Sequence, residues 1–161
     1  MTTAAHARVD VQVAATGDGI PDTATIRRWV RRALAEAGAA GEPEVSVRVV
    51  DKAEMQSLNR QYRDRDRPTN VLSFPAGPLA GLPAGEAGPL GDIVVCAAVV
   101  ADEATEQHKP LAEHWAHMLV HGTLHLLGYD HEGTDEAEEM ESLEARILEL
   151  SGISNPYRSP G

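Results

Sequence analysis

Three imidazoles fall within eleven residues, His121-Gly122-Thr123-Leu124-His125-Leu126-Leu127-Gly128-Tyr129-Asp130-His131, and six of the seven histidines of the chain lie between His108 and His131. Imidazole is the commonest protein ligand for metals, so the clustering asks for a chemical explanation. On a helix His121 and His125 stand about 40° apart around the axis and about 6 Å apart along it, and both rings reach one ion. A continuing helix would carry His131 about 9 Å further on. It joins the pair only if the chain turns back, and Gly128, which accepts the left-handed conformation that ends helices, is placed to turn it. Three protein ligands leave a fourth position for water, the arrangement of catalytic rather than structural zinc. The predicted metal set is therefore His121, His125 and His131, holding one Zn2+ per chain; the same ligands also suit nickel, copper or iron.

The spacing matches the long zinc-protease pattern H-E-x-x-H-x-x-G-x-x-H, except that Gly122 stands where the glutamate base belongs. The metal geometry survives that change, and peptide hydrolysis loses its proton acceptor. On a helical wheel His114, His117 and His125 all fall within about 40° of His121, with His117 on one side and the other two on the opposite side. This one stripe is predicted to face a groove. His117 is close enough to support a ligand or meet substrate, and Asp130 has the same two roles open to it. His114 lies too far along the axis to be a ligand, and ordinary hydrogen-bonded histidines suit positions 114 and 117 equally well.

A second run, Leu58-Asn59-Arg60-Gln61-Tyr62-Arg63-Asp64-Arg65-Asp66-Arg67-Pro68-Thr69-Asn70-Val71-Leu72-Ser73-Phe74-Pro75, is dense in groups that bind anions or fix turns. Arg63 offers a guanidinium fork to a phosphate, Asp66-Arg67-Pro68-Thr69 reads as a turn into a strand, and Asn70 and Ser73 are polar groups that such a groove could use. The competing role for Arg63 is a plain ion pair with Asp64 or Asp66.

These groups need a framework. Val9, Val11 and Val13 alternate with polar residues as in a strand, as do Val45, Val47 and Val49, and the segments 69–74 and 91–96 read as two more. The stripe Ile26, Trp29, Val30, Ala33, Leu34, Ala37 forms a helix after Pro21-Asp22, and Asp51 with Glu54 resembles a capping box opening a helix to about Tyr62. Past Cys96 the pattern is helical in three stretches, 97–108, 111–127 and 134–150. Between the last two strands, 75–91 carries five glycines and four prolines and reads as a loop. The expectation is an α+β fold, a small mixed four-stranded sheet with packed helices, the metal site lying on a central helix and the following turn. Residues 1–150 are expected to form one domain and 151–161 a disordered tail.

Composition narrows the class. The single cysteine, Cys96, excludes an internal disulfide and a multi-thiolate zinc site, which fits a cytoplasmic protein. No signal peptide or membrane span is evident. The net charge of −11 argues against a nucleic-acid partner only if taken as one number. Eight acidic residues lie between Glu132 and Glu149, whereas Arg60, Arg63, Arg65 and Arg67 crowd together elsewhere. A second cluster, Arg27, Arg28, Arg31 and Arg32, is expected to be a solvated helix face.

Taken together, His114-Trp115-Ala116-His117 through His131, Tyr62-Arg63, Pro68-Thr69-Asn70-Val71-Leu72-Ser73-Phe74-Pro75 and Leu90-Gly91-Asp92-Ile93 resemble the YbeY family of bacterial endoribonucleases, over about Val45 to Leu148. The resemblance implies a metal-dependent, single-strand-specific endoribonuclease acting in small-subunit (16S) rRNA maturation and ribosome quality control. It implies a metal on His121, His125 and His131, an arginine important for activity at Arg63, and single-stranded RNA, rRNA and small-subunit components as partners, with neither membrane nor DNA. The expected chemistry is a zinc ion that acidifies its water and polarises a phosphoryl oxygen, with Arg63 stabilising phosphate charge. The proton acceptor stays open, Asp130 and His117 being candidates. Two rival functions are a non-catalytic assembly factor with structural zinc, and a metal hydrolase acting on peptides or small molecules.

Overall fold

The computed structural model describes residues 7–17, 19–39, 43–76, 89–129 and 133–153. Among the described residues nine elements follow one another: β1 (Arg8–Val13), α1 (Thr23–Glu36), β2 (Glu44–Val50), α2 (Lys52–Arg63), β3 (Val71–Pro75), β4 (Pro89–Cys96), α3 (Ala97–Glu106), α4 (Leu111–Leu126) and α5 (Thr134–Glu149). The strands form one mixed sheet in the order β1-β2-β4-β3, parallel except for the antiparallel β3–β4 pair. The α+β architecture expected from the sequence is the one observed.

Alternation explains which face is buried. Val9, Val45, Val47, Val49, Ile93 and Val95 pack against Ile26, Val30 and Leu34 of α1 and Trp115, Met118 and Leu119 of α4. The other side of α4 carries Ala116, Val120 and Leu124, which meet Met140, Ile147 and Leu148 of α5. Helix α4 is therefore held between sheet and helix, with eleven of its sixteen residues buried. On the opposite face of the sheet Met55 of α2 packs with Val50, Leu72, Val94 and Cys96. Burial pushes the Cys96 thiol up, which removes it from nucleophilic chemistry.

Several local expectations are sharpened. Asp22 and Asp51 are both N-caps, accepting from Thr25 N at 2.8 Å and Glu54 N at 2.9 Å. Only half of the capping box forms, because Glu54 pairs with Arg48 at 2.6 Å instead of returning to the cap. The segment 75–91 is shorter as a loop than the sequence implies: Pro75 pairs with Gly91 and Ala76 N donates to Leu90 O at 3.0 Å, so β3 and β4 run on into it. Pro75 is tolerated there because β3 is an edge strand. The Arg27–Arg32 cluster is not simply solvated. Arg27 and Arg31, one turn apart, donate through Nε to Val9 O and Ala7 O at 3.0 Å each and clamp the chain along the outer edge of the sheet. At the other end Ile153 packs against the α4–α5 cluster and Arg32 bonds Ser151, while the rest of the expected tail, 154–161, lies outside the described residues. No described helix is long and apolar enough to cross a membrane.

Candidate metal centre

Helix α4 ends where the sequence predicts. Gly128 has φ +99°, Gly128 N donates to His125 O at 3.0 Å and Tyr129 N to Leu124 O at 3.1 Å, a left-handed turn that closes the helix behind His125. Asp130 and His131 lie outside the described residues, so the expected third ligand and its neighbour have no described position. His121 and His125 are side by side, with ring centroids 4.6 Å apart and their Nε2 atoms 3.1 Å apart. Two nitrogens bound to one tetrahedral zinc at the usual length are about 3.3 Å apart, so the pair fits a shared ion.

The remaining histidines depart from the expected groove-facing stripe. His114 and His117 are buried. His114 Nε2 sits 2.8 Å from Glu103 Oε1, and burial, outweighing Glu103, lowers its pKa; the ring is neutral and donates. His117 turns toward α5, where its Nε2 lies 3.1 Å from Glu144 Oε2. The other oxygen of Glu144 lies 2.6 Å from His121 Nδ1, and this carboxylate has no exposed surface. His117, His121 and Glu144 thus place ligand atoms within 4.8 Å of one another, a group that could hold a metal ion. Glu144 was not anticipated, because it reads as one more member of the acidic run. Its signal is its place in the repeat: it shares the buried stripe of α5 with Met140, Ile147 and Leu148.

Arg63 meets the histidine pair in one cavity of about 580 Å³, lined also by Asn70, Ser73 and Tyr129. It is the last residue of α2, followed by Asp64 in the left-handed conformation. Buried Asn59 staples the next turn by donating Nδ2 to Arg67 O at 2.8 Å. Arg63 does not take the ion-pair role: its Nη2 donates to Ser73 O at 2.9 Å and its guanidinium lies 5.4 Å from the Phe74 ring centre. A guanidinium has five N–H donors, so one bond to a carbonyl leaves capacity for an anion.

Asn70 and Ser73 line the cavity, yet their polar atoms serve the frame. Asn70 bonds Glu103 with its amide nitrogen and Val71 N with its oxygen, the latter at 2.6 Å. Ser73 Oγ donates to Gly122 O at 2.8 Å. Gly122 shows why the protease glutamate is missing. A Cβ there would stand 3.0 Å from Ile93 Cγ2, 3.1 Å from Val71 Cγ2 and 3.4 Å from Ser73 Oγ, so this side of α4 lies directly on β3 and β4. A relay therefore runs from Arg63 through Ser73 to Gly122, the residue next to His121.

Imidazoles on a helix and a guanidinium lining the same cavity, with no carboxylate base following the first histidine, define an α+β protein suited to an anionic substrate at a metal site. A sequence model of the family described as Endoribonuclease YbeY matches residues 14–152, and the chain belongs to that family. Among relatives named Endoribonuclease YbeY, that of Alkalilimnicola ehrlichii is 59% identical over 142 residues, covering 87% of this chain and 84% of the relative. That of Alcanivorax borkumensis is 53% identical over 151 residues, covering 92% and 85%. A solution structure of a Thermotoga maritima protein superposes with a TM-score of 0.52 at 25% identity, covering 92% of this chain and 99% of that one.

Proposed function

We propose that the chain is an endoribonuclease of rRNA maturation, cutting single-stranded RNA of the small ribosomal subunit in the cavity shared by Arg63, His121 and His125. The observation that carries this reading is that the phosphate-directed cation and the imidazole pair line the same cavity. His121 and His125 would hold one divalent ion, zinc in our reading, with His131 as the third ligand. When bound, that ion would supply Lewis acidity toward a phosphoryl oxygen and toward the attacking water or 2′-hydroxyl.

The chain's own groups do the rest. Arg63, already braced on Ser73 O, presents its free N–H donors to a phosphate and stabilises charge that grows on it. None of the described residues lining the cavity is a carboxylate and Arg63 is among them, so the described lining does not repel a polyanion. His117 is turned into the buried Glu144 contact, which leaves Asp130 as the other sequence candidate for taking up a proton. Residues 1–150 act as one catalytic domain, in the cytoplasm, with small-subunit components as partners.

The test is incubation of the purified protein with single-stranded ribosomal RNA, with and without a chelator, beside His121→Ala. Cleavage lost on chelation, restored by zinc and absent from the variant is expected. Cleavage that ignores both the chelator and the substitution would show that this cavity is not the nuclease centre. Folding that depends on zinc while RNA stays uncut would favour the assembly-factor alternative.

A further inference from the structure

Glu144 is the most deeply buried charged residue near the cavity, and its position is not accidental to α5. The helix turns most of its carboxylates outward, as expected of an acidic face, but the spacing Met140, Glu144, Ile147, Leu148 puts this one on the apolar side. A carboxylate withdrawn from water is costly unless strong donors meet it, and here both oxygens face ring nitrogens, His121 Nδ1 at 2.6 Å and His117 Nε2 at 3.1 Å. The contact at Nδ1 has a consequence for the other nitrogen of His121. A neutral imidazole carries one proton; when Nδ1 holds it for Glu144, Nε2 presents its lone pair. That Nε2 is the atom 3.1 Å from His125 Nε2.

We propose that Glu144 is the positioning residue of the metal centre: it fixes His121 in the Nδ1–H tautomer, makes Nε2 a stronger donor to the ion and sets the ring angle, without being a ligand itself. This rests on the reading of His121 and His125 as ligands. Two observations separate the role from ligation. Glu144 has no exposed surface, whereas His121 and His125 line the open cavity. An ion at the carboxylate would also have to displace the 2.6 Å contact that orders the ring. His117 acts as the brace, holding the second oxygen so that the carboxylate cannot rotate away from His121. Carboxylates behind metal-bound imidazoles commonly change metal affinity by about 10–100-fold, which sets the expected effect.

The experiment has two readouts. Long-range 1H–15N spectra of the metal-free wild-type protein should show His121 as the Nδ1–H tautomer; the Nε2–H tautomer would overturn the proposal, whatever any variant does. Zinc affinity, measured by competition with a chromophoric chelator, should be about 10–100-fold weaker in Glu144→Gln, with one ion still bound and the metal-free melting temperature close to wild type. Unchanged affinity would overturn the proposal, and so would a loss as complete as in His121→Ala, which would make the carboxylate a ligand. If His121→Ala itself binds zinc as tightly as wild type, the ligand assignment fails, a result distinct from failure of the tautomer argument.

Discussion

Gly122→Ala isolates the contact between α4 and β3 from metal binding. The new methyl group would lie 3.0 and 3.1 Å from the Ile93 and Val71 methyls and 3.4 Å from Ser73 Oγ, so the strands must give by a few tenths of an ångström. Alanine favours the helix by about 1 kcal/mol over glycine, while overpacking a filled core costs about 1–3 kcal/mol. The net loss is between roughly zero and 2 kcal/mol, a fall in melting temperature of at most about 8 °C at this chain length. Catalysis is affected as well, because the displaced strand carries Ser73, whose carbonyl holds Arg63 and whose hydroxyl bonds Gly122 O. Misplacement by about 1 Å commonly costs a hundredfold in rate, so a shift of a few tenths should slow RNA cleavage by about three- to sixfold. Zinc affinity should not move, since His121 and His125 share α4 and keep their spacing. The assay is single-turnover cleavage beside zinc titration and thermal melting of the same sample. A variant that melts higher and cleaves normally would refute the close-packing argument, and one that loses zinc would refute the separation of the two functions.

Other substitutions probe the remaining parts. Arg63→Ala should lower turnover by about a hundredfold with little change in zinc affinity, and near-normal cleavage would remove Arg63 from the site. Asn59→Ala removes the 2.8 Å bond from a buried amide to Arg67 O in an exposed turn, which should cost about 0.5–1.5 kcal/mol in chemical denaturation; no loss would show the staple to be idle. For His114, burial places the folded pKa below the unfolded value of 6.5. The unfolded chain therefore binds the extra proton first on acidification, so this contribution to stability is whole above about pH 6.5 and drains as pH falls below it. His114→Gln, which keeps a donor for Glu103 but does not titrate, should flatten the melting temperature between pH 7 and pH 5.5; an unchanged slope would contradict the assignment.

Much of this is legible in the sequence alone. The valines at 9, 11, 45, 47 and 49 alternate because one face of the sheet lies on α1 and α4, and that periodicity survives in sequence, whereas Val13 at the end of β1 is exposed. The pairing of His121 with His125 follows from helical spacing, and the turn at Gly128 from the lack of a Cβ. What pattern does not carry is the identity of a partner across space. Glu144 looks like its acidic neighbours until α5 is docked on α4, and Arg27 and Arg31 look solvated until β1 proves to be an edge. His114 and His117 share the wheel position of the other two, but α3 and α5 cover that part of the stripe with Glu103 and Glu144. Gly122 could be read as a missing base from sequence alone; that even a methyl group there would press on β3 and β4 is a property of the packing.

The central claim is that one ion sits between His121 and His125 in the cavity that Arg63 lines. Zinc-edge anomalous diffraction from crystals grown with zinc tests it most directly. A single peak within bonding distance of both Nε2 atoms, on the cavity side, is expected. A peak enclosed by His117, His121 Nδ1 and Glu144, or none near α4, would contradict it.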